Sequence, residues 1–93
     1  LINNGGTMRC EFLELTYKDG STCRHDINLV KERASNNGND VYDKVMSAMV
    51  DIMAPDENIE VVKWIQGKSM KGGIGYRSCM FARRSQGKIY IMG

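Results

Sequence analysis

The segment from Asp40 to Ala54 constrains the fold more than any other. Tyr42, Val45, Met46, Met49, Ile52 and Met53 recur at helical spacing, while Asp43, Lys44, Ser47 and Asp51 fall off that stripe. This period predicts an amphipathic helix with one buried face. Asp40 is the expected N-cap, because its carboxylate can accept first-turn amide protons. Pro55 is the expected stop, because proline disfavours helical geometry in the residue before it. A chain of 93 residues with one such helix must bury that stripe against something else it makes. The rest of the sequence offers strands.

"MRCEFLELTY" (8 to 17) is rich in strand formers, and "TCRHDINLV" (22 to 30) alternates. Asp19-Gly20 between them is a hairpin signal. A two-residue turn there sets Phe12 opposite Ile27, Cys10 opposite Leu29, Glu14 opposite His25 and Thr16 opposite Cys23. The other face, Leu13, Leu15 and Tyr17 beside Asp26, Arg24 and Thr22, is mixed: either partly covered or a binding surface. A short helical turn is expected at 31 to 35 and a loop at Asn36-Asn37-Gly38. "IEVVKWIQ" (59 to 66) is apolar on both faces and predicts an interior strand, with Trp64 in the core. "YRSCMFARR" (76 to 84) and "KIYIM" (88 to 92) predict the last two strands, joined by a tight turn at Gln86-Gly87. The expected fold is α+β: an antiparallel sheet of about five strands in the order β-β-α-β-β-β, with the one helix on one face.

"GKSMKGGIGYRS" (67 to 78) looks like a phosphate cradle. A Walker loop would need glycine where Val62 stands, and a helix must follow. A dinucleotide fingerprint would need glycine at Ser78 and a βαβ unit. The G-x-x-G of Gly72 to Gly75 lacks the two helices that a KH clamp joins. What remains is a mobile loop of about nine residues carrying Lys68 and Lys71, with glycines that allow close backbone approach.

Charge is unevenly placed. Residues 1 to 58 hold six Lys/Arg against ten Asp/Glu, whereas residues 59 to 93 hold seven Lys/Arg against Glu60 alone. A basic C-terminal half points to an anionic partner, or else to edge cations that block aggregation. A turn centred on Gln86-Gly87 sets Arg83 opposite Tyr90, Ser85 opposite Lys88 and Phe81 opposite Met92, on one side with Arg77 and Cys79. Cations beside aromatics suit single-stranded nucleic acid, in which bases stack on rings and phosphates meet cations. The alternative is that Phe81 and Met92 are core and the arginines marginal. The candidate contact residues are Lys68, Lys71, Arg77, Arg83, Arg84, Lys88 and Tyr90.

Other chemistries find less. His25 with Glu14 lacks a nearby nucleophile, so no catalytic residue is named. Cys10, Cys23, His25 and Cys79 lack the short Cys-x-x-Cys pair of a zinc site, so neither metal nor cofactor is expected. Three widely spaced cysteines argue for reduced thiols and a cytoplasmic setting. No apolar run approaches the roughly 20 residues of a membrane span, and no signal-peptide pattern is present. Residues 1 to 7 read as a leader or tag before a single domain at 8 to 93. The expected function is a small non-enzymatic binding module whose basic half contacts nucleic acid or a nucleoprotein. The alternative is a protein inhibitor or adaptor with a host protein target, such as a phage or mobile-element factor that blocks a nucleic-acid-handling complex. An RNase-like toxin using His25 stands third.

Overall fold

A computed structural model of the chain describes residues 9–70 and 72–93. The leader expected at 1 to 7 lies outside them, as does Lys71. Five strands, β1 (Arg9–Tyr17), β2 (Thr22–Asp26), β3 (Ile59–Met70), β4 (Gly73–Ser85) and β5 (Lys88–Met92), form one antiparallel sheet in the order β2-β1-β3-β4-β5. Helices α1 (Val30–Ala34) and α2 (Asp40–Met53) lie between β2 and β3 in sequence. The α+β architecture is the expected one, and β3 is the central strand that its two apolar faces imply.

Helix α2 buries Val45, Met49 and Met53, with Met46 and Ile52 partly covered beside them. Against this stripe the sheet presents Leu13 and Leu15 from β1, Val62 and Trp64 from β3, and Met80 and Ala82 from β4. Burying one large apolar side chain contributes about 1.5–3 kcal/mol, so this single layer holds most of the driving force for folding. Tyr42 stands edge-on to Trp64, with ring centroids 5.8 Å apart. Asn39, rather than Asp40, occupies the N-cap position, and its side chain makes no capping bond. Asp40 is instead a first-turn acid, favourably placed at the positive end of the helix.

The first hairpin differs from expectation by one residue. Phe12 faces Asp26, Leu13 faces His25, Glu14 faces Arg24 and Leu15 faces Cys23. The cause is the turn. The Gly20 amide donates to the Tyr17 carbonyl and the Tyr17 amide to the Ser21 carbonyl, and Gly20 has φ 87°. This is a wider loop ending in a bulged glycine, not the two-residue turn that Asp19-Gly20 also fits. The shift separates His25 from Glu14. It also settles which face of β1 is covered: Leu13 and Leu15 are buried under the helix, so they are core and not a contact surface.

Asp19 holds this turn together. The amide and hydroxyl of Ser21 both donate to its carboxylate, at 2.9 and 2.6 Å. The Ser21 hydroxyl, then its amide, lower the carboxyl's pKa from 3.8. The folded value lies below the unfolded one, so its support for the turn is complete above the unfolded value and is lost as pH falls through the folded one. In an NMR titration the Ser21 amide shift is therefore expected to have a midpoint below 3.8, and Ser21→Ala should raise it. A midpoint at or above 3.8 in the parent would contradict this role.

The glycine-rich stretch is not a loop of nine residues. Strands β3 and β4 continue through it, pairing Gly67 with Tyr76, Lys68 with Gly75, Ser69 with Ile74 and Met70 with Gly73. Glycine weakens a strand but does not forbid one, and here a long antiparallel ladder satisfies its backbone groups.

Candidate nucleic-acid interface

With α2 on one face of the sheet, no described element covers the other. Strand register fixes which side chains that open face carries. One row runs Arg24, Glu14, Lys63, Phe81 and Met92 across all five strands. The next runs Thr22, Thr16, Val61, Arg83 and Tyr90, followed by Ser85 and Lys88. In the opposite direction come Asp26, Phe12, Ile65 and Ser78, then Tyr76 on the row of Gly67.

A bulge in β4 decides part of this layout. Trp64 faces Met80 but Ile65 faces Ser78, so Cys79 has no opposite residue. The extra residue reverses the inside–outside alternation beyond it. Tyr76 and Ser78 thereby reach the open face, while Arg77 shares the helix side with Gln66. Arg77 is thus not on a face with Phe81 and Arg83, and the side chain of Cys79 lies outside those described. Tyr76 meets Phe12 there, edge to face, at 6.3 Å between centroids. Arg24 lies over the Phe12 ring, 4.1 Å from its centroid, and its guanidinium bonds Asp26 at 2.9 Å.

The expected contact residues divide accordingly. Arg83, Lys88 and Tyr90 come together on the open face, in the register expected of the β4–β5 hairpin. Its turn has positive φ at both Gln86 and Gly87, which matches the twist of the flanking strands. Phe81 and Met92 are on the open face too, and so are not part of the helix-side core. Arg77 is exposed on the other side. Lys68 is placed in β3 opposite Gly75, and Lys71 lies outside the described residues.

Arg84 has a different place. Its guanidinium reaches beneath the end of α2 and donates to the carbonyls of Met53, Asp56 and Ile59. The last turn of α2 has no basic residue of its own, so Arg84 supplies the positive charge that a helix C-terminus favours. This is a structural tie between helix, loop and sheet, on the covered side.

Four residues of the open face escaped the sequence reading as a group: Phe12, Arg24, Lys63 and Tyr76. Lys63 had a signal, since it is the polar residue between Val61 and Ile65 on an otherwise apolar strand. Tyr76 had none, because only the bulge turns it outward. Among the described residues none pairs with Lys63, Arg83 or Lys88. The ion pairs involve other cations: Arg24 bonds Asp26 on the open face, Arg33 of α1 grips Glu11 on the helix side, where Gln66 also donates to it, and Lys44 meets Glu32 at 3.9 Å. On the open face the cations without an ion pair, Lys63, Arg83 and Lys88, thus stand on β3 to β5, whereas its acids, Glu14 and Asp26, stand on β1 and β2.

Of the candidate zinc ligands, Cys10 and Cys79 have side chains outside those described. His25 faces Leu13 at the sheet edge, and Cys23 is a free, exposed thiol. Among the described residues no three His, Cys, Asp or Glu are grouped to hold a metal ion, and no helix is long and apolar enough to cross a membrane. The chain matches no model of a known protein family, no curated protein and no solved structure.

Proposed function

We propose that the chain is a non-enzymatic binding module whose open sheet face contacts nucleic acid or a nucleoprotein. The observation that carries this reading is the combination on one uncovered face of unpaired Lys63, Arg83 and Lys88 with Phe12, Tyr76, Phe81 and Tyr90. Tyr76 and Tyr90 are exposed there and Phe12 and Phe81 half-buried, and rings beside unpaired cations suit the bases and phosphates of a nucleic acid. The test is a titration of random-sequence oligonucleotides at about 50 and about 200 mM salt. Binding is expected to weaken steeply with salt. Glutamine at Lys63, Arg83 and Lys88 together should weaken it at least tenfold, about 1.4 kcal/mol, with circular dichroism unchanged. A folded triple variant that binds as tightly as the parent would move the contact surface elsewhere.

A second reading, an inhibitor or adaptor that docks on a protein, is favoured by Val61, Ile65 and Met92, which make part of the same face apolar. A tight protein complex with little response to salt would select it. In that case a phage or mobile-element factor occupying the nucleic-acid channel of a host complex remains the concrete form.

A further inference from the structure

We infer that the ligand of the open face is a single strand that runs along β4, with bases stacked on Tyr76 and Tyr90 and phosphates on Lys63 and Arg83. This rests on the nucleic-acid reading above and commits it to one class of ligand and one path.

The rings argue for the class. Tyr76 and Tyr90 are 55% and 46% exposed, on a face no described element covers. To a nucleic acid such rings are useful only through the flat faces of its bases. In a duplex those faces are stacked on one another, whereas the splayed bases of a single strand offer them. Phe12 is half-buried and lies under Arg24, whereas Tyr76, T-shaped against it, is exposed, so Tyr76 presents the accessible ring of that cluster.

Charge argues for the path. Lys63, Arg83 and Lys88 lie on β3, β4 and β5, whereas Glu14 and Asp26 lie on β1 and β2. A strand crossing the sheet from β2 to β5 would bring phosphates against both acids. A strand following β4 stays clear of Asp26 and meets Glu14 only across Lys63, which stands directly opposite that acid. Tyr76 and Tyr90 stand near the two ends of that line. Strand geometry, at ~6.7 Å for every two residues and ~4.8 Å between strands, puts them about 20 Å apart. That length suits a short site, about four nucleotides, at the lower limit for sheet-based single-strand modules. Lys63 and Arg83 fall between them or beside the Tyr90 end, spaced to meet successive phosphates.

The experiment is fluorescence anisotropy with a labelled oligothymidylate of roughly 12 nucleotides, a blunt duplex of the same length and an oligoglutamate peptide, each at two salt concentrations. The single strand is expected to bind at least tenfold tighter than the duplex. Tyr76→Leu with Tyr90→Leu, which keeps apolar bulk at both sites, should lose at least tenfold for the single strand while the salt slope and circular dichroism stay the same. Lys63→Gln with Arg83→Gln should instead reduce the salt slope by about 1.4, or ~0.7 for each phosphate contact. Equal or tighter duplex binding, or tyrosine variants that bind like the parent, would overturn the single-strand inference and leave the nucleic-acid reading standing. No salt-sensitive binding to either nucleic acid would overturn both, and binding of the oligoglutamate alone would assign the face to an acidic protein.

Discussion

Met49→Ala is expected to cost about 2–5 kcal/mol of folding stability, because it empties the middle of the layer between α2 and the sheet. Met49 is fully buried, on the stripe between Val45 and Met53 and in the same core cluster as Trp64. The neighbours have little freedom to close the space. Leu13, Val62 and Ala82 are fixed on three adjacent strands, and the helix is held at its far end by Arg84. For a domain of this size each kcal/mol lowers the thermal midpoint by about 4–8 °C, so the variant should melt at least ~8 °C below the parent. Circular dichroism melts of the two proteins measure this directly. A midpoint within error of the parent would mean that the stripe does not pack on the sheet in solution.

How much of this was legible in the sequence depended on whether one residue could shift a pattern. The α2 stripe tolerates an error of one position, because several residues agree on the same face. The β4–β5 hairpin was legible down to its register, since Gln86-Gly87 fits one tight turn and places Arg83 against Tyr90. The β1–β2 hairpin was not. Asp19-Gly20 is compatible with a two-residue turn and with a longer turn whose glycine forms a bulge, and the two differ by one residue. In a strand that single step exchanges faces, so it broke the His25–Glu14 pair and hid the burial of Leu13 and Leu15. The bulge at Cys79 acted in the same way on the candidate site. Nothing in "YRSCMFARR" marks it, yet it removes Arg77 from the open face and adds Tyr76. The stretch from Gly67 to Gly75 was misread for another reason: local glycine preference was overruled by the long ladder of β3 and β4.

Arg83 and Arg84 are adjacent in sequence, and their substitution is expected to have opposite consequences. Arg84 donates to the carbonyls of Met53, Asp56 and Ile59, the first two of which also accept from the amides of Asp56 and Ile59. Charge-assisted bonds of this kind contribute about 1.5–3 kcal/mol each in buried settings. This site is partly exposed, and water can replace some of what is lost. Arg84→Met, which keeps the aliphatic stem, should therefore cost about 2–3 kcal/mol in total and lower the thermal midpoint by roughly 10–20 °C. Arg84→Lys should fall between, because an ammonium group is a single point that cannot span three acceptors as a planar guanidinium does. Arg83 points to the open face opposite Tyr90, with no ion pair among the described residues. Arg83→Gln should leave the melt within ~0.5 kcal/mol of the parent, as surface substitutions do, while weakening the bound ligand. Measuring both variants by thermal melt and by oligonucleotide titration separates the two roles. If Arg84→Met melts like the parent, the helix end is not held by the sheet. If Arg83→Gln lowers the melt as far as Arg84→Met, the faces of β4 are assigned the wrong way round, and the open face described here is the covered one.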